Sequence, residues 1–174
     1  MAKVIFLGKQ RMNPDRVGQS PEVLAGLAQF SIPPKTRILI SEEAEIGWHR
    51  PLSAEKLNPV LAFYVANDEN HALELANNIA KFEGWGHSSV VHSDDPKIVA
   101  KFASIPTGRV LVNTPAILGG MGYSTDLEPS FMLGTGTWSG SITSDNVTAL
   151  HLINIKRVAY ESRPWRDIYE EYGE

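Results

Sequence analysis

Apolar positions in the middle of the chain change from a continuous run to a helical spacing. Pro59–Ala66 (PVLAFYVA) is a short apolar run that contains β-branched and aromatic residues, which predicts a buried strand. Asn67 or Asp68 can cap a following helix that ends at Gly84 and Gly86. The apolar face of this helix consists of Ala72, Leu75, Ala76, Ile79 and Ala80.

The same order of elements is repeated downstream. His87–His92 predicts a second strand, and Asp94 or Asp95 can cap a helix whose first residue is Pro96. Arg109–Asn113 then predicts a third strand. Strands that alternate with helices through short connections favour a parallel sheet with right-handed crossovers. We therefore predict an α/β fold, with a parallel sheet between helices in three αβα layers.

Two further elements precede this unit. Ser20 can cap a helix that starts at Pro21, and Pro33-Pro34 is expected to stop it. Arg37–Ile40 (RILI) predicts another strand, and the acidic segment Ser41–Pro51 predicts a surface loop.

The C-terminal third has a weaker pattern. Thr114–Asn146 has no clear period and predicts a long loop, which in a compact domain is usually functional or disordered. Leu150–Tyr160 alternates between two faces and predicts a strand. The tail Glu161–Glu174 carries four large apolar residues among charges and predicts a short docking helix. We therefore divide the chain into a domain at 1–149 and a terminal strand and tail at 150–174.

Length and charge narrow the function classes. A chain of 174 residues is long enough for one domain, and its formal net charge of −4 argues against a generic binder of nucleic acid or of membrane surfaces. The apolar run in Met1–Gln10 is shorter than a signal peptide requires, and no run approaches a membrane span. We expect a cytoplasmic protein. The 174 residues contain no cysteine, which excludes disulfides, thiolate metal sites and a thiol nucleophile within them.

Glycine and histidine positions give no specific motif by themselves. Gly134, Gly136 and Gly140 have the spacing G-x-G-x-x-x-G, with no strand before and no helix pattern after, so they do not form a dinucleotide fingerprint. The five histidines lack any metal-binding spacing, and His87 and His92 would point to opposite faces of one strand. We therefore expect no metal site.

Several segments together resemble the CoA-acylating aldehyde dehydrogenases, in particular the aldehyde dehydrogenase part of bifunctional aldehyde–alcohol dehydrogenases. The similar segments are Leu27–Glu42, Ala54–Tyr64 (AEKLNPVLAFY), Gly84–Ser89 (GWGHSS) and Arg109–Tyr160. They cover roughly residues 17–160 in the order and spacing of that family. The resemblance implies the catalytic domain of the aldehyde dehydrogenase superfamily, with NAD and CoA as cofactors and a terminal strand that pairs with a neighbouring subunit.

The resemblance also implies site residues. Glu55 matches the glutamate that hydrogen-bonds the nicotinamide ribose, although by composition it is an ordinary surface carboxylate. His87 matches a histidine near the thiol site, but it stands where a parallel strand starts, so a structural role stays open. Asn113, Thr114 and Pro115 match a segment that lines the active-site region. The glycines that match loops at the substrate and CoA entrance are Gly119, Gly120, Gly122, Gly134 and Gly136.

The main departure from the family is the missing thiol. The family reaction starts with a thiolate attack on the aldehyde, and a serine hydroxyl needs an adjacent base to replace it. The resemblance implies that the cysteine and the dinucleotide-binding domain precede the matched region, so we expect this chain to be inactive alone. The alternative is a non-catalytic module that binds CoA or a nucleotide, or that pairs through Leu150–Tyr160 with a second copy or a complementary dehydrogenase half.

Overall fold

The computed structural model describes residues 1–8 and 11–173, so Lys9, Gln10 and Glu174 lie outside it. The helices are α1 (Ala2–Ile5), α2 (Pro21–Leu27), α3 (Glu69–Glu83), α4 (Pro96–Phe102), α5 (Ala116–Gly120) and α6 (Trp165–Tyr172). The strands are β1 (Phe6–Leu7), β2 (Arg11–Met12), β3 (Leu39–Glu42), β4 (Val60–Phe63), β5 (Ser88–Val91) and β6 (Arg109–Val112). The 3-10 turns are Pro14–Arg16, Pro51–Ser53, Thr137–Ser139 and Ala149–Leu152.

The capping residues fix the helix starts where the sequence predicts them. Asp68 Oδ1 accepts a hydrogen bond from the backbone N–H of His71 at 2.8 Å, and α3 begins at the next residue. Asp95 caps α4, and Ser20 caps α2. The end predicted for α2 at Pro33-Pro34 is wrong, because Gln29 adopts the left-handed conformation (φ 61°) and the helix has already ended at Leu27.

Parallel strand pairs confirm the α/β fold. β3 pairs with β4 with Leu39 opposite Val60, and β5 pairs with β6 with Ser88 opposite Arg109. β1 and β2 form a short antiparallel pair. The parallel strands form two separate pairs, because β4 and β5 are not hydrogen-bonded to each other. Consecutive strands of an α/β fold need not be neighbours in the sheet, so the crossover through α3 allows this.

The core lies under the β3–β4 pair. Its buried side chains include Ile5, Phe6, Leu24 and Val60. Trp48 packs edge-on against Phe6 and Phe82, with ring centroids 6.3 and 5.2 Å apart. This aromatic group joins the N-terminal segment to the C-terminal end of α3.

The opposite face of the same strand pair is bare. Ile40, Leu61 and Phe63 lie on it and are 61, 48 and 51% exposed. Parallel sheets are normally covered on both faces, because crossovers place helices on each side. The described residues therefore cover only one face of β3–β4.

The C-terminal third differs from its prediction in two ways. Thr114–Asn146 is not a plain loop, because it contains α5, a 3-10 turn and a bridge between Leu133 and Asn146. The strand predicted at Leu150–Tyr160 is wrong: the segment starts in a 3-10 turn, continues without pairing and is exposed throughout. A strand needs a partner for its N–H and C=O groups, and no described segment supplies one.

The tail does form a helix, α6, as predicted. The expectation that it docks is wrong for the described residues, because every residue from Glu161 to Gly173 is exposed. No helix among residues 1–8 and 11–173 is long and apolar enough to cross a membrane.

Candidate functional site

The connection between α3 and β5 carries His87, which precedes β5. Its backbone is fixed: the N–H donates to Gly84 O at 3.0 Å, and the carbonyl accepts from Gly108 N–H at 2.9 Å. The residue is exposed, and its ring makes no hydrogen bond with any described residue. The imidazole is therefore open to solvent on a fixed backbone.

Glu55 lies beside the same connection. Its backbone N–H donates to Glu83 Oε2 at 2.7 Å, and its own carboxylate is exposed. Glu83 is the last residue of α3 and stands four residues before His87. The exposed carboxylate of Glu55 is thus linked to the C-terminal end of α3, and the exposed imidazole of His87 follows this helix end by four residues.

A buried lysine, which sequence reasoning missed, supports Glu55. Lys56 Nζ donates to the carbonyl oxygens of Leu52 at 2.5 Å and Ala54 at 2.8 Å, and the residue is only 7% exposed. Burial lowers the pKa of Lys56, while the carboxylates of Glu43 and Glu83 act in the opposite direction. The ammonium group holds the turn before Glu55 in place, and nothing in the local pattern of the sequence marks it as buried.

Asn113, Thr114 and Pro115 lie at the other end of the β5–β6 pair. Asn113 adopts a left-handed backbone (φ 54°), and its amide both donates to Ser93 O at 3.1 Å and accepts from Ser93 N–H at 3.0 Å. Thr114 is buried and hydrogen-bonds Ser124, and Pro115 precedes α5. Asn113 thereby ties together the carboxyl ends of β5 and β6.

These three residues are not brought together with His87. β5 is four residues long and therefore spans about 13 Å, with His87 before its start and Asn113 beyond the end of its partner strand. The predicted site residues thus form two groups at opposite ends of one strand pair.

The entrance glycines are packed against the same strands. Gly119 and Gly120 are in α5 and not in a loop, which corrects the expectation for them. A Cβ atom at Gly119 would lie 2.5 Å from Thr114 Cγ2, so glycine lets α5 approach β6 closely. Gly122 turns the chain out of α5 with a φ of 80°. Packing accounts for these glycines without a ligand.

Arg109 organises the other glycine segment, and sequence reasoning missed it. Its Nε donates to Asn146 Oδ1 at 2.9 Å, and its Nη2 donates to Gly134 O at 2.9 Å and Ser144 O at 2.8 Å. Burial lowers the pKa of the Arg109 guanidinium, and the nearby Asp145 carboxylate offsets part of this. The only signal in the sequence is a charged residue at the start of an apolar strand.

Asn146 completes this network. Its Nδ2 donates to Gly120 O at 2.9 Å and Glu128 O at 2.7 Å, and the residue is 6% exposed. The arginine and the asparagine therefore convert the Gly-rich segment into an ordered structure. Gly136 belongs to the same segment, with its N–H bonded to Thr143 O at 2.9 Å and its φ at 68°.

Two cavities flank the Arg109 network. One of about 470 Å³ is lined by the Gly-rich segment, including Gly136 and Thr137. The other, of about 420 Å³, includes His151, whose Nδ1 accepts from Thr148 N–H at 3.0 Å while its Nε2 faces Asp145 Oδ2 at 3.4 Å. Both ring nitrogens of His151 are thus occupied.

Within the part of the chain that the structure describes, no group of acidic or histidine residues could hold a metal ion.

Known proteins share this architecture. No family model matches the chain. It is 41% identical over 161 residues to the bifunctional aldehyde-alcohol dehydrogenase AdhE of Escherichia coli K12, a match that covers 89% of this chain. A crystal structure of an acetylating aldehyde dehydrogenase from Geobacillus thermoglucosidasius matches 93% of the chain with a TM-score of 0.87 and 40% identity. The homologues of this chain are acylating aldehyde dehydrogenases.

A second solved structure agrees with this result. A probable aldehyde dehydrogenase from Listeria monocytogenes matches 96% of the chain with a TM-score of 0.89 and 43% identity. The chain spans only part of these proteins: 18% of the length of AdhE, 36% of the Geobacillus chain and 37% of the Listeria chain. It corresponds to one segment of the catalytic-domain fold of the acylating dehydrogenases.

Proposed function

We propose that the chain provides the nicotinamide-facing part of an acylating aldehyde dehydrogenase, which oxidises an aldehyde with NAD and transfers the acyl group to CoA. The observation that carries this proposal is that Glu55, fixed through its backbone to the end of α3, and His87, four residues after that end, both have exposed side chains. Both lie within motifs shared with the acylating enzymes.

The residues present fit one end of NAD. The Glu55 carboxylate is exposed and its backbone is fixed by Glu83, so it can accept hydrogen bonds from ribose hydroxyls with little loss of freedom on binding. After Gly136 the chain forms a three-residue 3-10 turn and not the helix that a pyrophosphate site requires. In the reaction, NAD supplies the hydride acceptor and CoA supplies the acyl acceptor. The described residues therefore provide contacts for the nicotinamide end alone.

His87 is proposed to act near the reacting carbonyl. Its ring has no protein partner among the described residues, so it is available to exchange a proton with substrate or solvent. Among the described residues the ring makes no hydrogen bond through which it could stabilise the fold. This geometry favours the functional role over the structural one.

Complementation with a homologue tests the proposal. The chain alone should give no CoA- and NAD-dependent aldehyde oxidation, because its residues include no thiol. Mixing it with the cysteine-bearing preceding segment of the Geobacillus enzyme should restore NADH formation. In the mixture, Glu55→Gln should raise the KM for NAD roughly tenfold, because the bonds from ribose hydroxyls to a carboxylate become weaker bonds to a neutral amide oxygen.

Matched variants separate function from folding. His87→Ala should lower kcat by about a hundredfold, as expected for a group that transfers protons, while the free energy of unfolding changes by less than about 0.5 kcal/mol. Glu22→Gln, at an exposed carboxylate in α2, should leave the kinetics unchanged. Turnover by the chain alone, or a Glu55→Gln mixture with an unchanged KM for NAD, would contradict the proposal.

A second candidate function is self-association or pairing with a dehydrogenase half. The segment Leu150–Tyr160 is exposed and unpaired, with Leu152 at 85% and Ile153 at 56% exposure. A free apolar segment of this kind can add to the edge of another sheet through backbone hydrogen bonds. The bare face of β3–β4 would be covered in the same complex. We therefore propose a homodimer, or a complex with the complementary part of a dehydrogenase.

Light scattering tests the dimer. At high protein concentration the mass should be twice the 19.2 kDa of one chain. Replacing both Ile153 and Ile155 with lysine should return it to the mass of one chain, because charges on a pairing strand block edge-to-edge association. Ser162→Lys, at an exposed position beyond the segment, should leave the dimer intact. A monomer at every concentration would exclude self-association, and mixing with the Geobacillus segment would then test the heteromeric form.

A further inference from the structure

Two tryptophans form an aromatic wall beside α3. Trp85 and Trp138 have ring centroids 5.3 Å apart at an interplanar angle of 41°, and they are 36 and 59% exposed. Trp85 Nε1 donates to Lys81 O at 2.5 Å, which fixes the orientation of its ring. Indole rings exposed in this way offer a large apolar surface to a flat partner.

The wall borders a cavity of about 530 Å³ that is lined from α3 by Leu73 and by several polar side chains. Asn70, Glu74, Asn77 and Lys81 line it from α3 at helical spacing, so they share one face of that helix. The side-chain amides of Asn70 and Asn77 make no hydrogen bond with the described residues. The cavity thus combines a flat aromatic surface with amides whose donors and acceptors are not used by the fold.

This combination suits a nucleobase. Aromatic side chains stack on the π-face of a base, and an asparagine amide presents a donor and an acceptor side by side, which matches the N6 and N7 positions of adenine. The volume lies within the usual range for a small-molecule site. We propose that this cavity binds the adenine base of an adenosine-containing ligand, with Trp85 and Trp138 as the stacking surface and Asn77 as a hydrogen-bonding group.

The site is distinct from the Glu55 and His87 pair. Adenosine is common to free adenine nucleotides, NAD and CoA, and the proposal rests on the proposed function only if the base comes from one of the two cofactors. Titration with AMP, NAD and CoA separates these sources. The ligand that supplies the base in the functioning protein should have the lowest Kd of the three. Nicotinamide mononucleotide, which lacks adenine, reports on Glu55 alone.

Titration of the 174-residue chain with AMP, followed by ¹H–¹⁵N NMR, tests the site. AMP should shift the indole N–H signals of Trp85 and Trp138 and leave that of Trp165 unchanged, because Trp165 lies on the exposed helix α6. Trp138→Ala should weaken AMP binding by at least about tenfold, which is the usual cost of losing a stacked ring. Trp165→Ala, a matched change at 63% exposure, should have no effect on binding.

Two further results decide the outcome. Asn77→Ala should weaken AMP binding more than binding of purine riboside, which lacks the exocyclic amine, while Trp138→Phe should retain most of the affinity. The proposal is overturned if AMP shifts no tryptophan signal, or if Trp138→Ala and Trp165→Ala bind AMP equally. Binding of nicotinamide mononucleotide without AMP binding would remove this site and leave the role of Glu55 intact.

Discussion

Replacement of Arg109 by methionine is expected to lower the free energy of unfolding by about 3–5 kcal/mol. The substitution leaves three buried or half-buried acceptors without a donor: Asn146 Oδ1, Gly134 O and Ser144 O. Each orphaned acceptor costs about 1–3 kcal/mol, and methionine fills most of the volume without replacing the bonds. Urea denaturation followed by tryptophan fluorescence measures the loss.

The Arg109→Met substitution should loosen one segment of the chain first. Hydrogen exchange should accelerate first at the amides of Gly134 and Gly136, whose bonds to Asp145 and Thr143 depend on the loop that Arg109 holds. Arg109→Lys keeps the charge but not the forked geometry, so it should fall between the native chain and the methionine variant. An equal loss of stability in Arg37→Met, at an exposed arginine, would show that the effect is not due to the network.

Local elements of the fold could be predicted because their signals are local. Asp68 and Asp95 cap α3 and α4 through bonds that span two or three residues, and these depend on no distant contact. The short apolar runs at β4 and β6 likewise predict strands. Parallel pairing then follows from the alternation of strands and helices.

What the sequence does not reveal is which distant groups meet. The alternation at Leu150–Tyr160 predicts a strand, yet a strand exists only where a partner is available, and no described segment pairs with it. The burial of Arg109 depends on bonds to residues 25 to 37 positions away, whereas Lys56 is buried on the carbonyls of the turn just before it. Charged side chains are rarely buried without a partner. Apart from Asn146, their partners are backbone carbonyls, which leave no mark in the residue types.

The candidate site could be predicted from the sequence only in part. Geometry alone placed His87 at the amino end of a strand, and the structure confirms that position before β5. The position of Glu55 at the end of α3 depends on the bond between Glu83 and the Glu55 amide, which joins residues 28 positions apart. A contact of that kind follows from the packing of α3 against the segment before β4. The roles of both residues stay proposals for the complementation experiment.

Gly86→Ala is expected to be the most damaging single-methyl addition considered, at about 3 kcal/mol or more. Gly86 has a φ of 73°, and a Cβ atom there would lie 1.9 Å from Thr135 O, a backbone atom that can move only with its segment. The left-handed conformation alone costs alanine about 1–2 kcal/mol, and the clash must then push the Gly-rich segment away from β5. Urea denaturation measures the total.

Gly140→Ala separates the two contributions. Gly140 has a similar φ of 78°, but a Cβ atom there would meet nothing within 4 Å. Gly140→Ala should therefore lower the free energy of unfolding by about 1 kcal/mol, through the backbone conformation alone. Any further loss of stability in Gly86→Ala is then due to the contact with Thr135. Because Trp138 follows Thr135 by three residues, the Gly86 variant should also separate the two indole rings and weaken AMP binding, whereas Gly140→Ala should not. Equal losses of stability at the two glycines would show that the contact between residue 86 and Thr135 does not contribute.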